Sequence, residues 1–333
     1  MRTRRSPALI AGVVLLLIPA LAAPVAGAND ADHERHQRTV AHWTPERMQA
    51  AKPRDFVFDS ERGFVPAKPG KPGGGGGLVV TVTGASWTNT NTLVYRASGK
   101  VYFELGASAY ICSGAVVEDA RSGYSLVVTA AHCAYDETNL QFATFWMFIP
   151  EFDSNPTYSC AGTTYGCWSA AALVVHSGYA NAGGFNSQAT VHDYAIAVVG
   201  PGGKSGGSQL DATVGDFGIR FSSVADGTQT SAFGYPAAGK YAGSDLVYCA
   251  GAVKSDPYNS NLTYKLGCDM TGGSSGGPWL TAFTTSTGDG TLTSVNSYTY
   301  SFVRNTMHGP KFDARTQTVY STANGATFNT IVT

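Results

Sequence analysis

The sequence is poor in charge. Charged residues make up 14% of the 333 residues, and the formal net charge is −1. Globular proteins ordinarily carry about a quarter of charged residues, and a protein that binds nucleic acid or an anionic membrane surface needs a basic surplus. The composition therefore argues against nucleic acid and against stable membrane association as partners.

Cysteine is absent from the first 111 residues, and no two cysteines form a C-x-x-C pair. The four histidines beyond residue 78 show no ligand spacing either, so we expect no metal ion and no cofactor. The six cysteines could pair in many ways, and the sequence alone does not choose. Their order along the chain favours Cys112–Cys133, Cys160–Cys167 and Cys249–Cys268.

Residues 1–28 have the pattern of an export signal. Three arginines near the start precede an apolar run over 8–23, and Ala26-Gly27-Ala28 offers a small-residue cleavage site. This pattern predicts a secretory signal peptide and an extracellular protein. A membrane anchor is the alternative, but the run is shorter than the ~20 residues that a span prefers. Export favours disulfides, which persist in oxidising compartments.

Residues 29–77 differ from the rest of the chain because they are rich in charge and proline. Thr44 followed by Pro45 predicts a helix start, since threonine caps helices and proline suits the first turn. The segment ends in five glycines, 73–77, which predict a flexible linker. No Lys-Ser or Lys-Thr follows them, which argues against a phosphate-binding loop. We interpret 29–77 as a propeptide with a Gly-rich linker, with a disordered spacer as the alternative.

Residues 78–333 lack a long amphipathic helix and are rich in short β-prone runs between turn residues. Strands at this spacing predict a sandwich or a barrel. The predicted strands are 78–82, 101–105, 113–117, 126–129, 142–149, 171–176, 194–199, 229–233, 246–253, 263–266, 278–283 and 292–300.

Three motifs carry the predicted chemistry. His132 lies in Thr-Ala-Ala-His-Cys, Asp193 opens the apolar run 194–199, and Ser275 lies in Gly-Ser-Ser-Gly-Gly-Pro. A serine hydroxyl becomes a nucleophile only when a base takes its proton, and an acid must hold that base in the right tautomer. We therefore predict His132 as the base, Asp193 as the orienting acid and Ser275 as the nucleophile.

Neighbouring residues compete for two of these roles. His192 precedes Asp193, but adjacent strand side chains face opposite ways, so one of the two enters the site. Ser274 competes with Ser275, which is favoured because it directly precedes Gly-Gly-Pro. The N–H groups of Gly273 and Ser275 are the predicted donors to a developing oxyanion.

The three motifs, in the order His, Asp, Ser, resemble those of the trypsin-like (chymotrypsin-fold) serine peptidases. The resemblance spans roughly 78–310. It implies an all-β fold of two six-stranded antiparallel Greek-key barrels with the active site in the cleft between them. It also implies protein or peptide substrates, a monomer, a Cys112–Cys133 bond beside the histidine, and a structural role for His176.

The chain departs from the family pattern near the nucleophile. Ser274 stands where an aspartate is usual, and Thr271 stands where a cysteine is usual. The Gly-Ser-Ser-Gly form is closer to bacterial glutamyl-endopeptidase-like members. Asp269 lies where trypsin-like enzymes place the acid that selects Arg or Lys, and the back wall of the pocket is expected to offer Asn296 and Ser297. We take Asp269, Asn296 and Ser297 as candidate substrate-binding residues.

Two other functions fit parts of the sequence. An α/β-hydrolase esterase would use the same G-x-S-x-G motif, with Asp289 and His308 following in order. It requires a helix directly after the serine, which Pro278 and the β-branched stretch beyond it oppose. A catalytically inactive peptidase scaffold that binds a partner is the non-enzyme alternative, although such scaffolds usually lose a triad member.

Overall fold

The computed structural model describes residues 27–67, 83–152 and 158–333. The five glycines, the predicted strand 78–82 and all but the last two residues of the predicted signal peptide lie outside these ranges. Within them the chain is mostly β-structure with short helices.

The helices of the described ranges are short, and the longest has 16 residues. They are α1 (Gly27–His42), α2 (Pro45–Ala50), α3 (Leu93–Ala97), α4 (Ser177–Ala180), α5 (Ser187–Val191), α6 (Leu210–Val214) and α7 (Ala314–Ala323). The strands are β1 (Lys52–Pro53), β2 (Phe56–Asp59), β3 (Gly63–Pro66), β4 (Ala85–Ser86), β5 (Ser98–Leu105), β6 (Ser108–Val117), β7 (Ser125–Thr129), β8 (Tyr135–Asp136), β9 (Gln141–Phe142), β10 (Thr144–Pro150), β11 (Trp168–His176), β12 (Ala195–Val199), β13 (Gly218–Ile219), β14 (Gln229–Gly234), β15 (Val247–Ala252), β16 (Lys254–Ser255), β17 (Thr263–Gly267), β18 (Pro278–Thr284), β19 (Asp289–Val295), β20 (Tyr298–Tyr300), β21 (Thr306–Pro310) and β22 (Thr330–Val332).

The first barrel is a closed antiparallel sheet. Its strands run in the order β6-β5-β10-β11-β12-β7, and pairing of β6 with β7 closes the ring. Apolar β-branched residues dominate β7 and β12, and both strands are buried along their whole length. Such continuous burial is expected where one face fills the barrel and the other is covered by neighbouring elements.

The second half of the fold consists of two sheets. One has the order β13-β19-β18-β14-β15-β4, and the other has the order β16-β17-β21-β20-β2-β3. The disulfide Cys249–Cys268 ties β15 to the residue that follows β17, so it joins the two sheets. The predicted all-β, two-barrel class is confirmed.

The predicted strand 292–300 is interrupted in the structure. It divides into β19 and β20 at Asn296 and Ser297. The interruption has a cause in hydrogen bonding, because the backbone N–H of Asn296 donates to Gly277 O and that of Ser297 donates to His308 O. These two residues therefore connect the loop that carries Ser275 to β21, a strand that the sequence did not predict.

Residues 27–67 are folded against both barrels. α1 packs on β10 and β11, and Trp43 is buried with its indole N–H donating to Phe145 O at 2.7 Å. The helix predicted at Thr44 is α2, whose first turn is capped by the Thr44 side chain. Downstream, β1 adds to β6, while β2 and β3 extend the second sheet from β20.

The structure contains three disulfides, Cys112–Cys133, Cys160–Cys167 and Cys249–Cys268. These are the pairs that chain order favours. None of the helices in the described ranges has the length and apolar character needed to cross a membrane.

Candidate active site

His132 lies at the end of β7, in a 3-10 turn over Ala131–Cys133. Its side chain is fully buried. The Cys112–Cys133 bond fixes this turn to β6, because Cys112 lies within that strand. The turn therefore holds the imidazole at one fixed position between the two barrels.

Asp193 orients that imidazole. One carboxylate oxygen accepts the backbone N–H of His132 at 2.9 Å, and the other lies 2.8 Å from His132 Nδ1. The Ser297 hydroxyl donates to the second oxygen at 2.5 Å. All three side chains are buried. The carboxylate is thus held from both barrels, and it places a proton on Nδ1, which leaves Nε2 as the basic nitrogen.

Ser275 lies on a turn that needs its glycines. Gly273 and Gly276 have φ values of +96° and +81°, a region that glycine enters without steric cost. A Cβ on Gly276 would overlap Thr129 Oγ1, and one on Gly277 would overlap Phe233 O. The serine is therefore packed directly against the end of β7.

Ser275 lies next to the turn that carries His132. The Cys133 sulfur, next to His132, lies 3.9 Å from the carbonyl oxygen of Ser275. Within the described residues, His132 Nε2 has no hydrogen-bond partner. The Ser275 hydroxyl instead donates to Asp55 Oδ1 at 2.6 Å. The structure thus brings His132, Asp193 and Ser275 close to one another, with Asp55 hydrogen-bonded to the Ser275 hydroxyl.

Asp55 was not foreseen from the sequence. It lies between β1 and β2 in the segment interpreted as a propeptide or spacer. The pKa of its carboxyl group is raised because of burial, while the Ser275 hydroxyl, the nearby His132 and the Gly273 N–H act to lower it. The alternating apolar residues Phe56 and Phe58 were a signal that this stretch forms a strand.

A cavity of about 530 Å³ adjoins Ser275. Residues from the N-terminal segment form part of its wall, together with two stretches of the second barrel, 268–272 and 297–301. The candidate pocket residues Asp269 and Ser297 line it. Asn296 is not among the residues that line it. It is fully buried, and its amide contacts Trp279 Nε1, Phe233 O and Ser274 O.

The Asp269 carboxylate already has partners. It accepts hydrogen bonds from Gly84 N–H at 2.7 Å, from the Tyr241 hydroxyl at 2.6 Å and from Lys240 Nζ at 2.6 Å. Burial acts to raise the pKa of Asp269, but the bonds from Lys240, Tyr241 and Gly84 outweigh it, so the pKa is lowered. A basic side chain entering the cavity would meet a carboxylate whose charge Lys240 already balances.

His192 and His176 lie together, away from Ser275. Their rings stack at 4.5 Å, and Arg315 Nη1 lies 3.2 Å from His192 Nε2. His176 also caps α4 by accepting the Gly178 N–H at 2.9 Å. Both rings therefore serve local packing and capping, while Asp193 contacts His132.

The described residues of this site provide no set of donor atoms for a metal ion. Within the described ranges, Cys112, His132 and Cys133 are close enough to share an ion. The two sulfurs are bonded to each other, and a metal site requires thiolates.

The chain after Ser275 forms a strand. β18 begins at Pro278, three residues after Ser275, so the strand–turn–helix of an α/β-hydrolase elbow is not formed. His308, the histidine of that rival reading, lies on β21, fully buried, with its ring stacked on Tyr298 at 4.9 Å. Its closest acidic neighbour is Asp256, at 3.9 Å.

His308 gives the native state a pH dependence. Burial lowers the pKa of His308 to about 4, whereas an unfolded chain titrates near about 6.5. The unfolded chain takes up the proton first, so the free energy of unfolding falls as the pH decreases from about 6.5 to about 4. Each unit of pKa difference corresponds to about 1.4 kcal/mol, so His308 lowers the free energy of unfolding by about 3 kcal/mol over this pH range.

We expect His308→Phe to lose less stability than the parent protein between about pH 7 and about pH 4.5, measured by urea unfolding. His176, whose pKa is also lowered to about 4, chiefly by burial, is present in both proteins and cancels. Equal losses in the two proteins would contradict the assignment.

Solved structures of bacterial proteases resemble this fold. The protease Anisep from Arthrobacter nicotinovorans is 35% identical with a TM-score of 0.61, and the match covers 73% of this chain and all of that one. The thermostable serine protease AL20 from an extremophilic microorganism is 35% identical with a TM-score of 0.59, over 70% of this chain and 98% of that one.

A more distant likeness concerns the fold alone. A Glu endopeptidase is 20% identical with a TM-score of 0.54, over 75% of this chain and all of that one. No protein-family model matches the chain, and no curated protein does.

Proposed function

The chain belongs to the trypsin-like (chymotrypsin-fold) serine peptidases, and on that premise we propose that it is secreted and cleaves peptide bonds with a triad of Ser275, His132 and Asp193. The observation that carries the proposal is the bond between His132 Nδ1 and Asp193. It leaves Nε2 without a hydrogen-bond partner among the described residues. Asp55, which accepts the Ser275 hydroxyl, lies close enough to His132 for the imidazole to act on the pKa of its carboxyl group.

In the first half of the reaction, Ser275 Oγ attacks the carbonyl carbon of the scissile peptide, and its proton passes to His132 Nε2. The N–H groups of Gly273 and Ser275 stabilise the oxyanion that forms. The C–N bond then breaks as His132 returns the proton to the leaving amine. Asp193 stabilises the imidazolium while it exists.

In the second half, water replaces the amine. His132 takes a proton from the water, whose oxygen attacks the ester carbon of the acyl-enzyme. The new tetrahedral species collapses, the Ser275–acyl bond breaks, and His132 returns the proton to Ser275 Oγ. The products are a peptide with a terminal carboxylate and the free enzyme.

Several features support export and processing of the precursor. The N-terminal pattern is that of a signal peptide, and three disulfides suit an oxidising compartment. We assign residues 29–77 as the propeptide with its linker, and residues 78–333 as the peptidase domain. Asp269, Asn296 and Ser297 remain the proposed substrate-side residues, with Asp269 and Ser297 lining the cavity and Asn296 fully buried.

Fluorophosphonate labelling tests the nucleophile, because the probe reacts with an activated serine. We expect a full chain that has been cut once within 68–82 to take up one probe molecule, detected by intact mass. Ser275→Ala should abolish labelling. The matched variant Ser274→Ala should retain it, because the Ser274 hydroxyl donates to Thr271 O at 2.8 Å.

Two outcomes would contradict the proposal. Labelling that survives in Ser275→Ala would place the nucleophile elsewhere. A folded, cut chain that takes up no probe at any dilution would favour the inactive binding scaffold.

A further inference from the structure

We propose that residues 52–67, here called the inhibitory segment, block the active site within the same chain, with the Asp55 carboxylate bound where the product carboxylate would lie. This inference rests on the proposed function. It goes beyond the assignment of a propeptide because it names the group that blocks the nucleophile and the contacts that hold that group in place.

The first step of the argument is the hydrogen bonding of the nucleophile. Ser275 Oγ donates its proton to Asp55 Oδ1 at 2.6 Å, and His132 Nε2 receives no bond from any described residue. Catalysis requires the serine proton to pass to the histidine. As long as Asp55 accepts that proton, His132 cannot activate Ser275.

The second step concerns the oxyanion donors. The Gly273 N–H interacts with the Asp55 carboxylate, and a Cβ on Gly272 would overlap Asp55 Oδ2. The carboxylate therefore lies directly against the backbone predicted to stabilise the oxyanion. Ser275, His132 and Gly273 favour a negative charge at this point, against the burial that raises the pKa of Asp55. The same groups would favour the negative charge of the transition state.

The third step explains why the segment is not cleaved at Asp55. The group that faces Ser275 Oγ is a side-chain carboxylate. A carboxylate has no amine leaving group, and its negative charge opposes attack by an oxygen nucleophile. Peptide hydrolysis leaves a terminal carboxylate beside the serine, so Asp55 imitates a product.

The fourth step is the anchoring of Asp55 from both sides. On one side, β1 pairs with β6, and Arg54 donates to Glu137 Oε2 at 3.2 Å and to His132 O. Arg54 and Glu137 are both largely buried. Removing either partner of such a buried ion pair would leave the other charge buried and unpaired, which is strongly destabilising.

On the other side, Phe56 packs over the catalytic histidine. Its ring stacks on Phe185 at 3.9 Å and meets the His132 ring edge-on at 5.6 Å. β2 then pairs with β20 in a parallel register, from Phe56 opposite Tyr298 to Phe58 opposite Tyr300. Contacts with both barrels thus hold Asp55, which lies between Arg54 and Phe56, at the Ser275 hydroxyl.

The test uses the full chain with a recognition sequence for an unrelated protease inserted at 73–77, so that the same protein is studied uncut and cut. The rate of fluorophosphonate labelling is followed by intact mass. We expect the uncut parent to label slowly. Asp55→Ala should label about 10- to 100-fold faster while uncut, since a hydrogen bond to a charged group is lost.

Glu61→Ala is the matched control, because Glu61 is an exposed acid in the turn between β2 and β3. It should label as slowly as the parent. Asp55→Asn, which keeps the shape of the side chain, should also label faster, and it covers the case in which Asp55→Ala does not fold. Near-UV circular dichroism of each variant reports folding.

Cutting supplies an independent readout. The uncut parent should label at a rate that does not depend on protein concentration, whereas the cut parent should label faster on dilution, because the segment becomes a separate molecule.

The outcomes separate the two proposals. If the cut chain labels but the uncut parent labels equally fast, the inhibitory segment is refuted and the peptidase stands. If both Asp55 variants label as slowly as the uncut parent, the segment blocks by bulk and the role of Asp55 is refuted. If no form labels at any dilution, the proposed function fails and this inference fails with it.

Discussion

His132→Ala is expected to lower kcat/KM by about 10,000-fold or more, because the serine loses the base that takes its proton. The measurement uses a peptide substrate and chains cut within 68–82 by an added protease, so that a slow variant is not confounded by failure to process itself. KM should change far less than kcat, since the imidazole acts on the transition state.

His308→Phe is the control for this prediction. His308 is equally buried, but its ring stacks on Tyr298 and does not contact Asp193 in any described interaction. We expect its kcat to stay within a few-fold of the parent value. Substantial turnover in His132→Ala together with loss in His308→Phe would overturn the assignment of the base.

Asp193→Asn is expected to lower kcat by about 10,000-fold while leaving the fold intact. The carboxylate accepts from His132 N–H, from His132 Nδ1–H and from Ser297 Oγ. An amide can present an N–H to Nδ1, which would favour the tautomer with its proton on Nε2. That tautomer cannot accept the proton of Ser275.

Asp226→Asn is the matched control, since Asp226 is an exposed carboxylate that binds Ser255 at 2.8 Å. It should leave kcat unchanged. Steady-state kinetics and thermal unfolding of both variants check the prediction. A kcat for Asp193→Asn within tenfold of the parent would show that another group orients His132.

The sequence predicted the barrels and the three candidate residues because their signals are local. Short apolar runs between turns report strands, and each of His132, Asp193 and Ser275 lies in a motif whose flanking residues explain its conformation. The number and spacing of the strands predicted a sandwich or a barrel, and the resemblance to the family implied two barrels with a cleft between them.

Asp55 could not be found in this way because its role depends on a contact 220 positions away along the chain. The surrounding charge and proline suggested a propeptide with a linker, or a disordered spacer, and neither interpretation predicts the strand that pairs with β20. Tertiary pairing overrode the composition of the segment.

The contact of Ser297 with Asp193 also could not be predicted from the sequence. The sequence predicted Ser297 as a substrate-binding residue, and in the structure it lines the cavity beside Ser275. The break between β19 and β20 also turns its hydroxyl to Asp193. Such a turn depends on the bond between its N–H and His308 O, which only the assembled sheet provides.

Asp193 is hydrogen-bonded to the histidine turn of the first barrel and to Ser297 of the second half. The contact between the two halves therefore sets the alignment of the proposed triad. A small shift of one half relative to the other would misalign Ser275 and His132, while each half kept its own strands. When the protein is warmed, turnover should therefore decline at a lower temperature than the ellipticity does. Activity thus reports on the contact between the two halves more sensitively than ellipticity does.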